Sequence, residues 1–149
     1  MKESENKYFA LPISAEQLLP HRAPMLLVDC LTEYSANTAI ARAHLPTDGI
    51  FYNNGEFLPE FFIELIAQTA ALQNGYTTLL AGEKLRSGML VGLENFSLLH
   101  SARASNHLRI KVERTFTFGA ITFVKGQIFS EGKLLAEGNL KVWEELRET

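Results

Sequence analysis

Apolar and polar positions alternate through most of the chain, and the alternation breaks once, over a long central stretch where apolar residues crowd together. Met25–Tyr34 and Thr38–Leu45 read as two strands around a polar turn at Ser35, Ala36 and Asn37, the second alternating Ile40 with polar Arg42. Met89–Leu99, Leu108–Phe118, Ile121–Phe129 and Leu134–Trp143 read as four more, and the last three are expected to form an antiparallel meander through turns at Gly119-Ala120 and Glu131-Gly132-Lys133. Between the two sets, Pro59 to about Leu80 carries helix formers, with Pro at the first helical position and Glu60 near the positive end of the dipole as start signals. Phe61, Phe62, Ile63, Leu65, Ile66 and Ala67 cover nearly the whole circumference of its first turns, which predicts a helix buried on all sides. Something must wrap around it. Ser14 is placed to cap a short helix through Leu19 that Pro20 stops. Pro46–Leu58, with Asn53-Asn54 among Phe51, Tyr52 and Phe57, is expected to be an ordered loop of the kind that borders a site. One long apolar helix after two strands and before four more predicts an α+β fold, a curved antiparallel sheet wrapped around one central helix.

Size and charge narrow the classes of function. At 149 residues, 46% of them hydrophobic, the chain is long enough for one domain with its own core, expected over residues 14–149 behind a tail at 1–13 whose first residues, Met1–Lys7, are polar. A formal net charge of -3 without any cluster of Lys and Arg argues against nucleic acid or an anionic membrane as partner. The single cysteine, Cys30, excludes an internal disulfide framework and reads as a small core residue in a reducing, cytoplasmic setting. No stretch reaches the ~20 apolar residues of a membrane span. No cofactor and no metal are expected.

Glu64 is the residue that composition does not explain. It stands between Phe61-Phe62-Ile63 and Leu65-Ile66-Ala67, so its carboxyl is expected to be partly desolvated, and a buried carboxylate without a task is costly. Gln68 lies one helical turn further on the same face, placed to orient Glu64 or a water, or simply to satisfy a core neighbour. The first N–H groups of the helix, from Glu60 and Phe61, have no helical acceptor and point toward an incoming oxyanion.

Two segments carry a family resemblance. Leu19-Pro20-His21-Arg22-Ala23-Pro24-Met25-Leu26-Leu27-Val28-Asp29 resembles the opening motif of the 3-hydroxyacyl-[acyl carrier protein] dehydratases of type II fatty acid synthesis, and Phe62-Ile63-Glu64-Leu65-Ile66-Ala67-Gln68 resembles their central-helix motif, an acid followed four residues later by Gln. Ser97–Val112 is more loosely similar to the strand, loop and strand before their meander, and the matching element order covers roughly residues 14 to 143. Within that family the pattern looks nearest to the dehydratase-like proteins of aryl polyene pigment clusters.

The resemblance implies the hotdog fold, with active sites in tunnels at a dimer interface and each site built from both subunits. A homodimer or a heterodimer with a paralogue follows, as does an acyl carrier protein or coenzyme A thioester as substrate. In those enzymes a histidine removes the proton next to the thioester carbonyl, the helix carboxyl protonates the departing 3-hydroxyl, and amides at the helix N-terminus hold the carbonyl oxygen. Glu64 matches the acid, and the tunnel is expected to run past Phe61, Phe62 and Phe96. Two departures stand out. Glu60 replaces the glycine that follows the helix Pro in the family, and the loop Gly49–Glu56 has no histidine. Tyr52, Asn53 and Asn54 occupy its approximate position and are suited to bind a carbonyl or a water, but none is a good base at neutral pH. His44 lies just upstream and can swing in, although a strand-end histidine is more often a surface residue. His21 is expected to be structural, and His100 and His107 flank the loop before a strand. Three functions fit: a dehydratase with Glu64 as acid, a thioesterase in which Glu64 activates water, and a half-active subunit that completes the tunnel of a histidine-bearing partner.

Overall fold

The computed structural model describes residues 9–46, 49–54, 56–86, 88–100 and 107–145. Most of the expected polar tail therefore lies outside the described residues. Strands β1 (Ile13–Ser14), β2 (Val28–Tyr34), β3 (Thr38–His44), β6 (Gly88–Leu98), β7 (His107–Phe118), β8 (Ile121–Ser130) and β9 (Lys133–Glu144) form one antiparallel sheet in the order β1-β2-β3-β7-β8-β9-β6. The helix α1 (Pro59–Leu80) packs across its concave face, against β2, β3, β7 and β8. This is the expected wrapped helix.

Burial explains the strand patterns. On β8, Thr122, Val124, Gly126, Ile128 and Ser130 are buried while the residues between them are half-buried or exposed, as one helix-facing and one outward face require. Gly126 belongs to the inward set because the sheet comes so close to α1 there that any Cβ would run into the side chain of Ile66. The β8–β9 turn has φ 52° at Glu131 and 77° at Gly132, the two positive values of a type I′ hairpin. The tail segment also joins the fold earlier than expected. Ile13 pairs with Leu31, and the Tyr76 hydroxyl donates to the Phe9 carbonyl at 2.6 Å.

A closed polar network ties the C-terminal half of α1 to the sheet. Gln73 Nε2 donates to the carbonyls of Ser35 and Ala36 at 3.0 and 3.3 Å, and Gln73 Oε1 accepts from Arg114 Nε at 3.0 Å. The Arg114 guanidinium forks onto Glu144 at 2.5 and 2.9 Å and gives a further bond to the Ala70 carbonyl at 3.2 Å.

Several expectations need correction. The short helix is a single 3-10 turn, Ala15–Gln17, and the Ser14 side chain makes no capping bond. The ordered loop contains a small hairpin, β4 (Tyr52–Asn53) with β5 (Glu56–Phe57), for which Asn54-Gly55 is a turn signal. Cys30 is half-buried beside the Arg42 guanidinium, 3.4 Å away, because its strand face is covered only in part. The helix is not buried on all sides. Glu60 is exposed, and Ile63, Glu64, Ala67, Ala71 and Asn74 are only half-buried, a stripe at helical spacing that the sheet does not reach.

Candidate functional site

The open stripe of α1 forms one wall of a cavity of about 270 Å3. Glu64, Ala67, Gln68, Ala71 and Asn74 line it from the helix, Leu18 to His21 from the opening segment, Leu85 and Arg86 from the loop after α1, Met89 and Leu90 from β6, and Trp143 and Glu144 from β9. The two alanines leave room where a longer side chain would fill it. The walls are mostly apolar, with a few polar groups converging on the space.

Gln68 connects this cavity to the opening segment. Its Oε1 accepts from the Leu27 amide at 2.9 Å, and its Nε2 donates to the Met25 carbonyl at 2.7 Å and to Glu64 Oε1 at 3.0 Å. Both ends of the amide are used, so its orientation is fixed and one Glu64 oxygen is held. The same bonds explain why β2 begins at Val28 instead of Met25: a side chain serves the backbone groups that a neighbouring strand would otherwise meet. Glu64 is half-buried, and Gln68 is 1% exposed.

The remaining sequence candidates lie elsewhere. Phe61 N–H is already engaged, donating to the Leu58 carbonyl at 3.0 Å, which takes it out of the expected oxyanion pair and leaves the Glu60 amide. Phe61 and Phe62 are each 1% exposed, and Phe61 packs against Phe51 and Phe57, so they are core and not tunnel walls. Phe96 likewise does not line the cavity; its ring covers Gly138 on β9. Tyr52 meets Phe57 edge to face in the β4–β5 hairpin, Asn53 and Asn54 are exposed, and none of the three borders the cavity. His44 Nδ1 pairs with Asp29 Oδ2 at 3.0 Å on the surface, and His100 and His107 are exposed.

Two cavity-lining residues were not expected at the site, His21 because it reads as structural and Arg86 because nothing in the sequence singles it out. His21 Nδ1 and Arg86 Nη1 are buried without a hydrogen-bond partner. His21 carried a signal, its place in the opening motif Leu19 to Asp29, but Arg86 carried none. Among the described residues no cluster of three or more His, Cys, Asp or Glu side chains is placed to hold a metal ion, and no helix is long and apolar enough to cross a membrane.

Comparison with known proteins places these features in company. A family model described as ApeP dehydratase, of the ApeP-like family, matches residues 13–148. The 3-hydroxyacyl-[acyl-carrier-protein] dehydratase FabZ of Bacillus velezensis is 28% identical over 129 residues, covering 84% of this chain and 91% of that protein. Its namesake in Anaeromyxobacter dehalogenans is 27% identical over 144 residues, covering 92% of each. Among solved structures, the dehydratase heterocomplex ApeI:P from Xenorhabdus doucetiae superposes with a TM-score of 0.80 at 24% identity, covering 93% of each chain. A hypothetical thioesterase with coenzyme A from Streptococcus pneumoniae superposes with a TM-score of 0.64 at 10% identity, covering 80% of this chain and 87% of that one. The fold is the hotdog fold.

Proposed function

The chain belongs to the ApeP-like dehydratase family, and from that premise we propose that it takes part in the dehydration of a 3-hydroxyacyl thioester on acyl carrier protein, with Glu64 as the acid. The observation that carries the reading is a single carboxyl gripped by Gln68 and turned to an apolar cavity. The thioester end of the substrate lies near the start of α1, where the Glu60 amide donates to its carbonyl oxygen, and Glu64 gives a proton to the departing 3-hydroxyl. Loss of water leaves a 2-enoyl thioester. Gln68 is a positioning residue, and Tyr52, Asn53 and Asn54, which do not border the cavity, take no part in holding the chain.

The base comes from a second subunit. The loop Gly49–Glu56 offers no side chain that titrates near neutrality, and His44 is held on the surface by Asp29. Edge strand β6, unpaired on one side among the described residues, exposes Met89, Leu90, Val91, Leu93 and Leu98, a long apolar edge that calls for a partner strand. The related ApeI:P structure is a complex of two different proteins, which favours a histidine-bearing paralogue as that partner over a second copy of this chain.

The test is the initial dehydration rate of this protein alone, of the paralogue alone and of the co-purified pair, with the enoyl product identified by mass spectrometry. General-base catalysis is worth about a hundred- to ten-thousand-fold, so this chain alone is expected to be slow and the pair fast. Full activity of this chain by itself, abolished by His21→Ala, overturns the partner's role and moves the base to His21.

A further inference from the structure

The outer face of the sheet, turned away from α1 and the cavity, carries apolar side chains that the described residues leave uncovered. Phe116 and Phe118, near the end of β7, are 59% and 74% exposed, and Phe118 is the most exposed large apolar side chain among the described residues. Register fixes which way they point. Phe116 pairs with Phe123 and Phe118 with Ile121, while Thr122 and Val124, the alternate residues of β8, are buried on the helix side. Directly paired residues share a face, so all four stand on the outer one. The Phe116 and Phe123 rings lie 5.8 Å apart.

A lysine completes this patch without breaking it. Lys141 pairs with Phe123 and with Gly92, where a Cβ would come within 3.1 Å of its Cδ, so its stem lies flat across β6. Its ammonium is 5.5 Å from the centre of the Phe123 ring and 2.9 Å from Glu94 Oε1. On the neighbouring outward row Glu113 pairs with Lys125. Each lysine around the rings is therefore matched by a glutamate, and the patch carries no net charge.

Size says how strong a contact it can make. An aromatic side chain offers about 150 to 250 Å2, so the exposed fractions of Phe116 and Phe118 come to roughly 200 to 330 Å2. Ile121, Phe123 and the Lys141 stem extend this into the range of the largest apolar patches on monomers, about 300 to 600 Å2, which mark interaction sites. A stable complex buries about 800 Å2 per partner, so the patch is the apolar centre of a small interface that dissociates on dilution. Its balanced charge selects the occupant. Nucleic acid or an anionic membrane needs a basic face. A carrier bearing the thioester must reach Glu64 on the other side of the sheet, and a strand added at β6 extends the sheet edge and leaves this face open. A second copy brings the same rings and the same balanced rim, as a self-complementary two-fold contact requires.

We propose that a second copy of this chain docks here, outer face to outer face, so that two catalytic units are joined with their cavities on opposite sides of the assembly.

The test is sedimentation velocity from about 1 to 100 µM, on the full chain alone and on its equimolar mixture with the histidine-bearing paralogue. The sedimenting mass is expected to double with concentration in both samples. Phe118→Ser should weaken the doubling by at least about tenfold with the melting temperature unchanged, because the side chain is mostly exposed. Phe116→Ser should act in the same direction, and Val91→Ser, on β6, should leave the doubling as it was. A single mass at every concentration, or doubling that survives both phenylalanine substitutions, overturns the proposal. So does doubling lost only in Val91→Ser, which places the contact on β6. If the chain alone never doubles and Phe118→Ser abolishes binding of the paralogue, the face belongs to the paralogue and the second copy is ruled out.

Discussion

Two buried glutamines, five residues apart on α1, begin alike and end differently. Gln68 and Gln73 are 1% and 0% exposed, and each donates to the backbone of a segment crossing the helix. From Gln73 the bonds run to Arg114 and Glu144 and close on themselves, with three guanidinium nitrogens engaged. From Gln68 they run to Glu64 and stop at a cavity that His21 and Arg86 also line. A polar network that completes itself holds a fold together, whereas one that ends in open space has been left for a ligand to complete. Glu144 belongs to both regions, closing one network and walling the other.

The sharpest way to separate the two is to remove chemistry without removing shape. Glu64→Gln is expected to cut the dehydration rate by about two to four orders of magnitude while the melting temperature holds. A full rate in that variant would remove Glu64 from the reaction. On the closed side, Arg114→Met strands the Glu144 carboxylate and should lower unfolding free energy by about 3 to 5 kcal/mol, read from the denaturant midpoint. Arg114→Met with Glu144→Met replaces the pair by apolar groups and should recover most of that loss. If the double variant is no better than the single one, the network is more than an ion pair.

Gln68 tests the boundary between the regions, because it serves both backbone and site. Gln68→Leu leaves the Leu27 amide and Met25 carbonyl unmet, at a cost of about 1 to 3 kcal/mol, and frees Glu64. Misplacing a reacting group by an ångström costs up to about a hundredfold, so the rate should fall in that range while Glu64→Gln remains the more severe variant. The smallest effect is expected at His44, outside both regions. His44→Ala breaks an exposed pair with Asp29 and should change stability by less than about 1 kcal/mol and the rate not at all.

Periodicity made the scaffold legible. Pro59 at the head of an apolar run marked α1 to its end at Leu80, and alternation marked β7, β8 and β9 within a residue or two. What it missed depended on partners distant in sequence. Met25 to Leu27 have strand composition, but Gln68, about forty residues on, takes their backbone bonds. Phe61 and Phe62 looked like tunnel walls because their hydrophobicity does not say whether sheet or cavity meets them; the alanines facing the cavity are the quieter signal. Glu64 could be singled out by its apolar neighbours, whereas Arg86 sits in an ordinary polar loop and stands out only once its surroundings are known.

The unpaired side of β6 has a consequence for how much of this protein a cell can keep. Each copy made without a partner presents eleven residues of open strand bearing Met89, Val91 and Leu93 at 61%, 50% and 41% exposure, a template for self-aggregation and a target for proteases. Its steady-state abundance should therefore follow the supply of the partner and not its own rate of synthesis. Co-expression at rising partner dose, with soluble protein measured by quantitative blot, is expected to give a yield that climbs and then levels at equal stoichiometry.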